Sequence, residues 1–288
     1  SIDFGTQRHY NPFVKRLQIA LIFLFGFFLP TQLGKHFFLP FSYLSGVRVD
    51  YLAPTFYVLD IIVIGLYIAY LKNYKDLLRN IWIQLFLFAT AVGLFFAISK
   101  EIALYRYIKI IELLIVFSAL RTHKKNPVVF LYGLFLSTVV QFCIAVSQFI
   151  QKSSLDGVFY FLGERHLSLS TPGVAKTALD GVEFLRAYGT FSHPNSLAGF
   201  YLLIYAYLLF QKKHALPTIL NTCFLLLCSA LIFLSFSKVA MLGLLLLTIK
   251  YFIVNWKEYK NCTVCVGSRL LSILIPLGIM ASSIGDPL

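Results

Sequence analysis

The sequence predicts an all-α fold, a polytopic transmembrane helical bundle of about nine spans with its N-terminus in the cytoplasm. Three observations predict it. The 288 residues are 59% hydrophobic and 17% aromatic with only 13% charged, too apolar for a chain that must cover itself with a solvated surface. Apolar runs of roughly 17–25 residues recur between short polar connectors, the length a helix needs to cross about 30 Å of hydrocarbon. The basic residues collect in alternate connectors, as the positive-inside bias requires.

Helices are the expected element because backbone N–H and C=O groups find no partners in lipid outside a helix or a closed barrel. The runs lie near 17–34, 52–71, 81–98, 102–120, 128–150, 196–210, 216–234, 237–254 and 266–284. The inner connectors then hold Arg8, Lys15, Arg16, Lys72, Lys75, Arg79, Arg121, Lys124, Lys125, Lys212, Lys213, Lys250, Lys257, Lys260 and Arg269, most of the 25 basic residues. The net charge of +13 is thus spread along connectors rather than gathered on one soluble face. That distribution argues against nucleic acid as a partner and for a lipid bilayer.

A single membrane domain over 1–288 is expected, since no repeat stands out and no soluble stretch is long enough to fold alone. The sequence begins at Ser1 without Met and stops at Leu288, where a ninth span would emerge, so a C-terminally incomplete piece is expected. The first run is too long for a signal peptide and lacks a small-residue cleavage site, so it is expected to be retained. Cys143, Cys223 and Cys228 fall in apolar runs, where cysteine acts as a small hydrophobe. Cys262 and Cys265 form one C-x-x-C with no second pair, so no metal site is expected.

Ionisable groups inside apolar runs are expensive and call for partners. Asp60 and Lys109 are expected at similar depth, roughly 10–12 Å from the outer surface by helix rise, and hence as an ion pair. Glu112, one turn from Lys109, competes for it. Ser137, Gln141, Gln148 and Gln151 share one face of the fifth run and should look inward, serving helix packing.

The connector 151–195 is the exception to short loops and is expected on the outer face, partly structured and functional. Its mixture of Phe159, Tyr160 and Phe161 with turn formers predicts short helices at the membrane interface. It ends in Arg186-Ala-Tyr-Gly189-Thr190-Phe-Ser192-His193-Pro194-Asn195-Ser196, directly before the sixth run. Pro194 suits a first helical turn, and Ser192, Asn195 or Ser196 can cap its free N–H groups. Exposed N–H groups, hydroxyls and an arginine at one helix start make a site for a phosphate or pyrophosphate, with Gly189 admitting close approach. The competing reading is a capped helix with a snorkelling arginine. Ser235, Ser237 and Lys238 begin the eighth run in the same manner, and two such starts on one face can grip one diphosphate.

The stretch LGERHLS, TPG and LRAYGTFSHPNSLAGF, followed by LSFSKVAMLGLL, resembles the O-antigen ligase and O-antigen polymerase family of bacterial membrane glycosyltransferases. The earlier GVRVDYLAP and YVLD, from Gly46 to Asp60, are similar to the family's start. The resemblance implies a multi-pass protein of the bacterial cytoplasmic membrane, working in lipopolysaccharide or other envelope polysaccharide synthesis. It would transfer a glycan from an undecaprenyl-diphosphate carrier to a glycan, lipid or protein acceptor on the outer face. Neither nucleotide nor metal cofactor is implied.

By the same resemblance Arg186 would be one of the outer-face arginines that contact the diphosphate, and the catalytic one in this sequence, with Gly189, Pro194 and Asn195 shaping the turn. Taken with the two helix starts, Gly189, Thr190, Ser192, Asn195, Ser237 and Lys238 would line the diphosphate site. Two departures are visible: Lys238 stands where the family commonly has arginine, and the family's further outer loop with a required Arg and His is not in this sequence, so the general base is expected beyond residue 288. The alternative class is a transporter or flippase for a lipid-linked or anionic solute, using Asp60, Lys109 and Glu112.

Overall fold

The computed structural model describes residues 12–49, 52–71, 74, 78–122, 125–179, 181–211, 215–259, 267 and 274. The expected ninth span falls almost wholly outside the described residues, as do the N-terminal eleven residues, Cys262 and Cys265. Of the expected inner-connector cations, Arg8, Lys72, Lys75, Lys124, Lys212, Lys213, Lys260 and Arg269 also lie outside them.

The described helices are α1 Pro12–Phe28, α2 Val58–Ala69, α3 Ile81–Phe95, α4 Lys100–Thr122, α5 Asn126–Gln151, α6 Pro194–Phe210, α7 Thr218–Leu234 and α8 Lys238–Tyr259. The strands are β1 Gly34–His36, β2 Tyr43–Leu44, β3 Val47–Arg48, β4 Thr55–Tyr57, β5 Lys176–Leu179 and β6 Val182–Leu185. They pair antiparallel as β1 with β4, β2 with β3, and β5 with β6.

This corrects the expected fold class on two counts. The chain is mostly helical but not all-α, because three two-stranded sheets interrupt the helices. Nor do the described residues hold the expected spans: among them one helix, α5, is long and apolar enough to cross a membrane. The other apolar helices, α2, α3, α6 and α7, have 12–17 residues.

The causes lie in the boundaries that hydropathy ignores. Residues 55–57 of the second apolar run pair with β1 rather than joining the helix, so α2 starts only at Val58. Pro30 follows the end of α1, and Pro217 stands directly before α7, positions where a helix stops or starts because proline lacks an N–H and restricts its predecessor. The 23-residue α4 is long enough but carries Lys100, Glu101, Arg106, Lys109, Glu112 and Arg121.

The chain divides into two compact units, one of residues 1–29 and 34–133, the other of residues 30–33 and 134–288. In the first, α1, α2 and α4 bury Ile22, Phe25, Ile62, Val63, Leu66, Val116 and Ala119 against one another. Gln18 of α1 donates to Ala69 O at the end of α2 at 2.8 Å, and Asn126 donates to Ala119 O at 2.6 Å and to the Tyr70 hydroxyl at 3.0 Å. In the second unit α6 is the central helix. It buries Leu197, Tyr201, Tyr205 and Leu208, and Tyr205 shares a 2.8 Å hydrogen bond with Thr248 of α8.

The connector 151–195 holds a 3₁₀ turn, Gly157–Leu162, and the β5–β6 hairpin. The turn is a short helix at Phe159, Tyr160 and Phe161, where the composition predicts one, whereas the hairpin stands where no strand is expected. Leu179 pairs with Val182 at the end of the hairpin, and Gly181 sits at φ +75°, where glycine has no steric penalty.

Candidate functional site

In the second unit β6 ends at the fully buried Leu185 and delivers Arg186 to the junction of three helices. The Arg186 N–H donates to Ala175 O at 3.2 Å, extending the hairpin, and the Ala187 N–H donates to Leu234 O at the end of α7 at 2.9 Å. Phe184, two residues back, stacks on Phe149 of α5 at 4.9 Å between centroids. Phe149 also stacks on Phe236 at 5.9 Å. The backbone around Arg186 is therefore tied on both sides before the side chain reaches anything.

The guanidinium bridges the two helix starts that sequence treats as separate sites. Its Nε donates to Ser235 O, in the turn before α8, at 2.7 Å, and its Nη2 donates to Asn195 Oδ1, in the first turn of α6, at 2.7 Å. Nη1 has no partner among the described residues. Burial lowers the pKa of this half-buried cation from the ordinary arginine value, with a small opposing effect of Tyr188; arginine starts so high that it stays charged at neutral pH.

The turn before α8 is itself constrained. Phe236 adopts φ +49°, an uncommon conformation for a bulky residue, and Ser235 Oγ accepts from the Ser237 N–H at 3.2 Å while donating to Ile232 O at 2.6 Å. Ser237 is buried, whereas Lys238, the first residue of α8, is exposed. The cap of α6 is His193 rather than Ser192, Asn195 or Ser196: its Nδ1 accepts from the Asn195 N–H at 3.1 Å. Partial burial, and then the Arg186 charge, hold the His193 pKa below its usual value, which keeps Nδ1 free to accept. Asn195 instead orients Arg186, and Ser192 O receives Arg165 Nη1 at 3.4 Å.

Gly189 and Thr190 face inward. Gln148 Oε1 accepts from the Tyr188 and Gly189 N–H groups at 3.0 and 2.8 Å, and Gln148 Nε2 donates to Gly189 O at 2.9 Å. Gln141 Oε1 accepts from the Thr190 N–H at 3.1 Å, Gln141 Nε2 donates to Thr190 Oγ1 at 2.7 Å, and that hydroxyl donates to Pro30 O at 2.9 Å. Gly189 is at φ +57°, and a Cβ there would stand 2.5 Å from Gln141 Oε1. The glycine thus serves close packing of the turn against α5, and the inward stripe of α5 holds that turn. Ser137, Gln141 and Gln148 of the stripe are buried while Gln151 is exposed.

Two features escaped the sequence reading. Glu164 is a buried carboxylate accepting from Gln148 Nε2 at 2.8 Å and from the Leu155 and Asp156 N–H groups at 2.9 Å each. Its position between Gly163 and Arg165 carried no periodic signal. His166 Nδ1 lies 3.0 Å from both Asp156 oxygens at the surface; the imidazole, and secondarily the Ser154 hydroxyl, hold the Asp156 carboxyl below its usual range.

Asp60, Lys109 and Glu112 meet in the first unit. Lys109 Nζ is 2.6 Å from Asp60 Oδ1 and 3.0 Å from Glu112 Oε2, so the two carboxylates share the cation rather than compete for it. Asp60 also accepts from the Tyr57 N–H at 2.9 Å, which places it in the first turn of α2 and not several turns down a span. Lys109→Met is expected to cost about 2–3 kcal/mol, less than a fully buried pair because Lys109 still meets solvent. Asp60→Asn alone should cost less, since Glu112 still pairs with the lysine. Thermal unfolding of the single variants and the double variant checks this: strictly additive losses would contradict a shared cluster.

No protein-family model, curated protein or solved structure matches the chain.

Proposed function

We propose that this chain is a membrane glycosyltransferase of the O-antigen ligase and polymerase type. It takes a glycan from an undecaprenyl-diphosphate carrier and passes it to an acceptor on the outer face of the cytoplasmic membrane. The observation that carries the reading is the Arg186 guanidinium bridging the starts of α6 and α8, with Nη1 unpartnered among the described residues. Lys238 and Arg165 are exposed cations flanking these two turns in sequence or by contact. The pyrophosphate leaving group gains negative charge as the glycosidic bond breaks, and pre-positioned cations stabilise that charge without reorganising.

Side chains such as Leu203, Ile219, Val239 and Leu246 stand exposed on α6, α7 and α8, a surface suited to lipid rather than water. This supports a lipid-linked donor. Arg186 polarises the departing diphosphate; Asn195 and Ser235 O aim the guanidinium; Gln141 and Gln148 fix the turn from which it projects. The test is transfer itself: full-length protein, reconstituted with an undecaprenyl-diphosphate glycan and a mixed panel of glycan and lipid acceptors, should consume donor and release undecaprenyl diphosphate without nucleotide. Donor recovered intact with every acceptor would sink the proposal.

A further inference from the structure

The first unit contains a cavity of about 640 Å³, within the roughly 300–1,000 Å³ range of small-molecule sites. Phe56, Val63, Ile64, Ile108 and Ile111 form apolar wall, and Asp60, Lys109 and Glu112 stand together on it. Two carboxylates share one ammonium there, so by formal count the cluster holds one carboxylate more than it has cations. The Asp60 oxygens are taken by Lys109 and by the Tyr57 N–H. Glu112 Oε2 is taken by Lys109, and Glu112 Oε1 has no partner among the described residues. The rings of Tyr57 and Tyr105 lie 5.7 and 5.4 Å from Lys109 Nζ, presenting faces that favour cations.

From this arrangement we propose that the cavity binds a single-chain amphiphile with an ammonium head, its chain among the apolar walls and its head at Glu112. An anionic head of the same length would meet two carboxylates and a lysine already neutralised by them, an unfavourable field. An uncharged chain would fill the walls but leave Glu112 Oε1 as it is. The ligand class follows from this mixture of apolar volume and residual negative charge, and it is independent of the transfer reaction proposed above.

Photocrosslinking tests it. Full-length protein in nanodiscs of zwitterionic lipid would be labelled with a dodecylammonium carrying a diazirine in its chain, and the labelled peptides mapped. Labelling is expected within residues 54–67 and 105–115, with competition by dodecylammonium and little by dodecyl phosphate. Glu112→Gln, which leaves Asp60 and Lys109 paired, should weaken labelling about tenfold, the scale of one lost charge-assisted hydrogen bond. Ile64→Trp, which fills the cavity, should abolish it. The proposal is overturned if dodecyl phosphate competes equally, if the label maps elsewhere, or if both variants label as the parent does.

Discussion

Arg186→Ala is expected to lower glycan transfer by roughly a hundredfold or more, the scale seen when a pre-positioned charge-stabilising donor is removed. On the proposed function the loss should fall mainly on turnover, because a cation that holds the leaving diphosphate contributes more as charge develops than in the resting complex. Folding should suffer little: the side chain is only half-buried, and it gives up two hydrogen bonds, to Ser235 O and Asn195 Oδ1. Arg186→Lys separates catalysis from anchoring. A lysine keeps the charge but cannot span both acceptors while offering a further donor to phosphate, so only part of the activity should return. A snorkelling anchor would tolerate lysine with nearly full transfer. Both variants measured at matched expression decide the matter, and near-normal transfer by Arg186→Ala removes this residue from the site.

Gln148→Leu is expected to be the most destabilising single change in the second unit. The amide satisfies the buried Tyr188 and Gly189 N–H groups and Gly189 O, and it supplies one of the three donors to the buried Glu164 carboxylate. Leucine matches the bulk but leaves these groups orphaned, at a cost of about 1–3 kcal/mol for each one that water cannot reach. Because they form one network the losses will not add fully; about 3–5 kcal/mol is expected, lowering Tm by roughly 5–10 °C. Gln151→Leu is the control from the same stripe: that residue is exposed, and its replacement should shift Tm by little. Equal effects of the two would mean that the turn is not held from α5.

How much of this was legible in the sequence depends on which force decides each feature. Apolar runs located most helices to within a few residues, because burial of hydrophobic side chains favours helix wherever the run is long. They failed where short pairing took over. Thr55–Tyr57 runs directly into the helix after it, yet it forms β4 because β1 offers a partner, a long-range choice that hydropathy does not carry. The β5–β6 hairpin, by contrast, has a local signal in the Asp-Gly dipeptide at 180–181 of the sequence. At the site, Arg186 and the two helix starts were visible from residue types alone. Their union through one guanidinium was not, since Ser235 is distant in sequence and contributes its backbone carbonyl, a group every residue has. The same reason hid the clamp of Gln148 on Gly189.

Residues 30–33 belong to the second unit although the sequence on both sides of them belongs to the first. Pro30 O accepts the Thr190 hydroxyl, and a Cβ on Gly163 would stand 2.6 Å from Gln32 C, so the early segment is fitted tightly to chain made much later. In a cell the chain emerges N-terminus first, and Pro30 therefore waits until residue 190 has been synthesised before its hydrogen bond can form. Closing so long a loop is entropically costly and tends to come late in folding. A fragment of the second unit started after residue 33 would leave the buried Thr190 hydroxyl without its acceptor on Pro30 and Gly163 without the backbone it packs against.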